Sequence, residues 1–304
     1  MSAVQSASPT ALPKLELKHI LVTTDFSECS RSALKQAAAI ARLHGSDILV
    51  LHIASYDPVA YAALEAPSWE MEAVMKQARE EMAAAERATI SDIKHDYLVE
   101  SGPLKDVLKD IIKSREISLL VLGTHGRTGL KKLLLGSVAE EIYRLADCPV
   151  LTIGPDIEPK LLTHGRFESV LFATDFTAGS KHAMPMALGF AQESRAHFTM
   201  LHVLEEGSMA AMYLHEQLAK SAREQIDALI PAQVRVSSPP DVEVVSGYPV
   251  EEILRVARKN QADLIVLGVH KASGIGARTS AHLPWTIAST VVCHAKCPVL
   301  TVRG

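Results

Sequence analysis

The chain has 304 residues, a net charge of −4, 22% charged residues and 5% aromatic ones. That length holds two cores of ordinary domain size, and without a basic excess a nucleic-acid partner is not expected. No apolar run reaches membrane-spanning length, and the opening MSAVQSASPTALPKLEL lacks a charged stretch followed by an apolar one, so residues 1–17 read as a flexible leader of a cytoplasmic protein with no membrane partner.

In chain order, His19 to Thr24 reads as a strand and Ser27 to His44 as a helix that Gly45 stops. Asp47 to Ile53 is a second strand, and a long Ala-rich helix fills roughly Pro67 to Ile93, most simply as a cover for the core. Tyr97 to Val99 makes a short strand, Leu104 to Arg115 a helix, and Ile117 to Leu122 (ISLLVL) a buried parallel strand. Gly123-Thr124-His125-Gly126 follows directly, then nine residues to Gly136-Ser137, an amphipathic helix over Val138 to Ala146, and a final strand at Val150 to Ile153. Glycines between a buried strand and a helix start sit where a doubly wound sheet holds phosphates. A helix opening at Ser137 would turn unpaired N–H groups and its positive dipole end toward an anion, and Arg127, Lys131 and Lys132 add charge. Neither the P-loop spacing nor the dinucleotide G-x-G-x-x-G pattern is met.

The chain then repeats itself. Thr24-Asp25-Phe26-Ser27 aligns with Thr174-Asp175-Phe176-Thr177 at an offset of 150, as does Leu51-His52-Ile53 with Leu201-His202-Val203. Asp147-Cys148-Pro149-Val150-Leu151-Thr152 answers Lys296-Cys297-Pro298-Val299-Leu300-Thr301. Two α/β domains follow, at 18–153 and 169–304, and the stretch 154–168, with its prolines and glycines and no periodicity, reads as the linker. Pro185 should kink the first helix of the second repeat or delay its start.

A strand ending in T-D-F-S, a second ending in L-H-I, a G-2x-G-9x-G-[ST] loop and a closing C-P-V-L strand together resemble the universal stress protein family in its tandem form, from about His19 to Val302. The resemblance implies two doubly wound domains of the adenine nucleotide alpha hydrolase type, each with a five-stranded parallel sheet in the order 3-2-1-4-5, and ATP, with Mg accompanying the triphosphate, at the gap between strands 1 and 4. It carries the nucleotide contacts onto Thr23, Asp25, Ile53, Leu122, Gly123, Gly126, Gly136, Ser137 and Val138, with His125 and Arg127 in the same loop. It also implies that the strands at Pro149 to Ile153 and Pro298 to Val302 pack together as a pseudo-twofold unit within the chain, with a further homodimer left open.

The second repeat departs where the chemistry lies: Gly268-Val269-His270-Lys271 puts lysine at the second glycine, and Trp285-Thr286 stands where the first repeat has Gly136-Ser137. Canonical ATP binding is expected to be lost there, although Gly274-Ile275-Gly276 leaves a rebuilt loop open. Plain readings stand beside the functional ones. Asp25 could simply orient a turn whose better helix cap is Ser27, His125 could be a solvated loop histidine, and His52 and His202 could be hydrogen-bonded structural residues. The four cysteines suit packing in a reducing compartment, and Cys293-His294-x-x-Cys297 offers too few ligands for a metal. Three functions remain: a stress-response module that binds ATP and switches contacts with an unknown protein partner, a slow ATP hydrolase or phosphoryl-transfer enzyme, or an interaction protein that binds no nucleotide.

Overall fold

The computed structural model describes residues 15–54, 68–124, 137–162, 164–205, 209–230, 238–269 and 284–304. Each repeat alternates strand and helix. In the first, β1 (His19–Thr23), β2 (Asp47–Ala54), β3 (His95–Ser101), β4 (Leu119–Gly123) and β5 (Val150–Ile153) alternate with α1 (Glu28–His44), α2 (Ser68–Thr89), α3 (Leu104–Ser114) and α4 (Ser137–Leu145). In the second, β6 (Ser169–Ala173), β7 (His197–Glu205), β8 (Asp241–Gly247), β9 (Leu264–Val269) and β10 (Val299–Arg303) alternate with α5 (Ala178–Ser194), α6 (Met209–Leu229), α7 (Pro249–Lys259) and α8 (Pro284–His294).

The first five strands run parallel in the order β3-β2-β1-β4-β5. Ile20, Leu21 and Val22 of β1 and Leu119, Leu120 and Val121 of β4 are fully buried, which is why these strands read as continuous apolar runs. The helix α1 lies on β1 and β4. Ser27 caps its start, with Oγ accepting from Ser30 N at 3.2 Å, and Gly45 ends it in a left-handed conformation at φ 69°. β6 to β9 repeat the parallel order as β8-β7-β6-β9.

Two compact units result. One holds Glu16–Gly165 together with Ser289–Thr301, the other Leu15, Arg166–Ala288 and Val302–Gly304. Inside the first, β10 pairs antiparallel with β5, setting Leu300 opposite Leu151 and Thr301 opposite Val150. The antiparallel β5–β10 pairing adds to the parallel pairings of β1 to β5.

The stretch 154–168, read as the linker, carries local structure: Pro159–Leu162 forms a 3-10 turn, Ile157 and Leu162 are buried, and Gly165 lies so close to Ala39 that a side chain there would strike its carbonyl. Of the two effects expected of Pro185, a kink or a delayed start, the delay does not occur. Thr177 caps α5 just as Ser27 caps α1, and the helix runs on through the proline because Ala183, Met184, Ala187 and Leu188 around it are buried.

Candidate functional site

β1 is flanked by β2 on one side and by β4 on the other, with Val22 opposite both Val50 and Val121. The helices that follow adjacent strands therefore diverge, and a crevice opens at their carboxyl ends. Thr23 ends β1 at this crevice, half-buried, and Gly123 ends β4.

The turn leaving β1 is built by side chains. Asp25 Oδ1 accepts from Ser27 N at 3.0 Å and Thr24 Oγ1 accepts from Phe26 N at 3.1 Å, so two backbone donors that precede the helix are satisfied locally. Phe26 adopts φ 65°, a left-handed conformation that costs a residue with a side chain roughly 1–2 kcal/mol. Its ring rests on His52 with centroids 4.7 Å apart, and His52 Nδ1 donates to Thr24 O at 2.8 Å, tying the end of β2 to the turn. The second repeat reproduces this arrangement: Phe176 at φ 61°, its ring 4.4 Å from His202, His202 Nδ1 to Thr174 O at 2.8 Å, and Asp175 Oδ1 accepting from Thr177 N at 3.0 Å. The T-D-F-[ST] motif is thus a turn device in its own right, whatever it also binds. Phe26 is a residue that sequence reasoning passed over, although its recurrence at Phe176 was a visible signal.

Gly123 likewise has a packing reason. A Cβ there would lie 2.7 Å from the Cys29 carbonyl carbon, so only glycine lets the end of β4 touch the first turn of α1. Leu122 is buried to 1% exposure, so its side chain belongs to the core and only its backbone faces the crevice. Ile53 is half-buried on β2. Ser137 and Val138 open α4, whose first backbone N–H groups have no partner within the helix. His125, Gly126, Arg127 and Gly136 lie outside the described residues, as do the side chains of Ser137 and Val138. The structure thus brings Thr23, Asp25, Leu122 and Gly123 to the ends of neighbouring strands, with Ile53 one strand further along.

None of the four cysteines forms a disulfide; Cys29, Cys148 and Cys297 are buried and Cys293 is half-buried. Among the described residues no three His, Cys, Asp or Glu side chains are grouped as metal ligands, and no helix is long and apolar enough to cross a membrane.

The family model of the universal stress proteins matches residues 16–154 and again 166–303. A universal stress protein of Methanocaldococcus jannaschii is 31% identical over 140 residues, covering 45% of this chain and 81% of its own. One from Mycolicibacterium smegmatis is 26% identical over 295 residues, covering 93% of this chain and 96% of its own. The crystal structure of a universal stress protein from Archaeoglobus fulgidus superimposes with a TM-score of 0.62 at 20% identity, over 95% of this chain and 99% of that one, a likeness of fold.

Proposed function

The chain belongs to the universal stress protein family, and from that premise we propose that its first repeat binds ATP in the cytoplasm and works as a nucleotide-dependent switch for a partner protein. The observation that carries this reading is the reversal of strand order at β1, with Asp25 on one lip of the crevice and Gly123 on the other. Ile53 and the backbone of Leu122 would border the base, while Thr23 and Asp25 would stand beside the ribose and phosphates. The N–H groups at the start of α4, which have no partner within the helix, suit the phosphates, with Ser137 and Val138 and together with Gly126, Gly136, His125 and Arg127. Bound with Mg, the triphosphate would supply the negative charge that Arg127, Lys131 and Lys132 lack as a counterpart within their own segment. Ordering residues 127–135 around it would create a surface for a partner, with a coupling of about 1–3 kcal/mol between nucleotide and partner.

Asp25 spends one carboxylate oxygen on the turn, which favours a binding role over an acid–base one. Calorimetry of the full chain should find about one ATP per chain, and Gly126→Val should abolish binding by filling the phosphate space. At about a hundred times its dissociation constant, ATP should stabilise the protein by about 2.7 kcal/mol. Two equivalent sites would overturn the assignment to the first repeat. Turnover of about 1 per second or faster would put an ATP hydrolase in place of the switch.

A further inference from the structure

The second repeat holds a cavity of ≈ 160 Å³ at the carboxyl ends of β6, β7 and β9. Its apolar walls come from Leu201, Val203, Ile253, Leu267 and Ile287, and its polar groups are Thr174, Asp175, His202 and Glu205. Lys271 and Trp285 stand where the first repeat has its second and third loop glycines, so canonical ATP binding is not expected here, yet the space between the strand ends persists. Its floor is set by Gly268, where a Cβ would lie 2.2 Å from Ser180 N, so β9 is drawn tight against α5 just as β4 is against α1.

What differs is the chemistry of the lining. β9 continues through Val269, which is buried and whose carbonyl accepts from Gly304 N at 3.1 Å, where the first repeat has already left its strand. Among the described residues no lysine or arginine lines the cavity. The hydroxyl of Thr174 is engaged with Ser180 Oγ at 3.1 Å and accepts from Phe176 N at 3.0 Å. His202 commits its Nδ1–H to Thr174 O, so a neutral ring offers the remaining Nε2 as an acceptor. Asp175 Oδ1 receives Thr177 N at 3.0 Å and Ser180 Oγ at 2.9 Å, while among the described residues Oδ2 and the whole Glu205 carboxylate have no hydrogen-bond or ion-pair partner. Glu205 stands where the first repeat has Ser55. The described lining is therefore rich in acceptors, negative and apolar, and the cavity falls below the roughly 300–1,000 Å³ of pockets that enclose drug-sized ligands.

We infer that this cavity is a second ligand site, specific for a small amphipathic ammonium: one primary amine cation carried on a single apolar or aromatic body. The cation would sit between Asp175 and Glu205 and the body among Val203, Ile253 and Leu267. Among the described lining residues a polyphosphate would meet the two carboxylates of Asp175 and Glu205, which disfavours it there relative to a cation.

The test uses the full chain with labelled Ile, Leu and Val methyl groups, titrated in turn with 2-phenylethylammonium, neutral 2-phenylethanol and anionic phenylacetate, three probes of one shape and different charge. The ammonium should shift the methyl signals of Val203, Ile253 and Leu267 and bind roughly tenfold more tightly than phenylacetate, the size of effect two exposed carboxylates can produce. Glu205→Gln, an exposed change with no packing consequence, should weaken the ammonium by about threefold. Equal affinity for the three probes, unchanged affinity in Glu205→Gln, no methyl shift at millimolar ammonium, or ATP moving these same methyl groups would each overturn the inference.

Discussion

At the scale of single residues, the two repeats solve the start of their first strands differently. In the first, Ser118 Oγ accepts from His19 N at 3.0 Å and donates back to His19 O at 2.9 Å. In the second, the buried Asp263 takes that place, accepting from Glu168 N at 2.6 Å and Ser169 N at 3.0 Å, one to each oxygen. Burial raises the Asp263 pKa above the ordinary carboxylate value, and the two backbone donors only partly offset it. A raised folded-state value means that the native state holds its proton more tightly than the unfolded chain does. The proton-linked part of the Asp263 contribution is therefore fully present below the unfolded pKa of 3.8 and is lost as pH rises through the raised folded value, while the two backbone hydrogen bonds remain with the ionised carboxylate. Asp263→Asn can accept only one of the two N–H groups and turns its own amide toward the other, so it should lower stability in urea by about 1–3 kcal/mol at neutral pH. Phe26 gives a second check. Phe26→Ala loses the ring contact and keeps the left-handed strain, whereas Phe26→Gly loses the contact and relieves the strain. Glycine should therefore be the more stable of the two by about 1 kcal/mol, the reverse of the usual ordering.

At the scale of elements, the glycines that end β4 and β9 are joints between a strand and the helix packed on it. Gly268→Ala should cost more than Gly123→Ala, because its added carbon meets Ser180 N at 2.2 Å against 2.7 Å to the Cys29 carbonyl carbon. Both should destabilise by about 1–3 kcal/mol in chemical unfolding. Pro185 is exposed within a continuous helix, so Pro185→Ala should raise stability, by up to about 3 kcal/mol. The elements themselves were legible wherever burial left a pattern: β1, α1 with both caps, β2 and β5 stand within a residue or so of their expected limits. β3 was not. Tyr97 to Val99 was visible, but the strand spans His95–Ser101 because pairing with β2 from Ile48 to Ala54 holds the polar His95, Asp96, Glu100 and Ser101 in register, and such pairing leaves no periodic signal. The candidate site was legible as a set of residues in sequence and not as a set of roles. Nothing in the order of letters says that Gly123 serves the Cys29 backbone, or that His52 reaches back to Thr24.

At the scale of the molecule, the β5–β10 pairing is the most consequential contact. Leu151 and Leu300 oppose one another and are 1% and 0% exposed. Exchanging both for lysine would bury two like charges side by side, and should unpair the strands and expose amides 150–152 and 299–301 to hydrogen exchange. Single substitutions should have a smaller effect in the same direction.

That pairing also has a history in time. β5 leaves the ribosome about 150 residues ahead of the strand that covers it, a delay of roughly 7–30 s at ordinary synthesis rates. Throughout that interval the nascent first repeat presents a bare apolar edge, open to any other strand nearby, including the same edge on a neighbouring nascent chain. Slowing translation between Gly165 and Val299 should therefore raise the aggregated fraction, and speeding it should lower that fraction, with no change of amino acid at all.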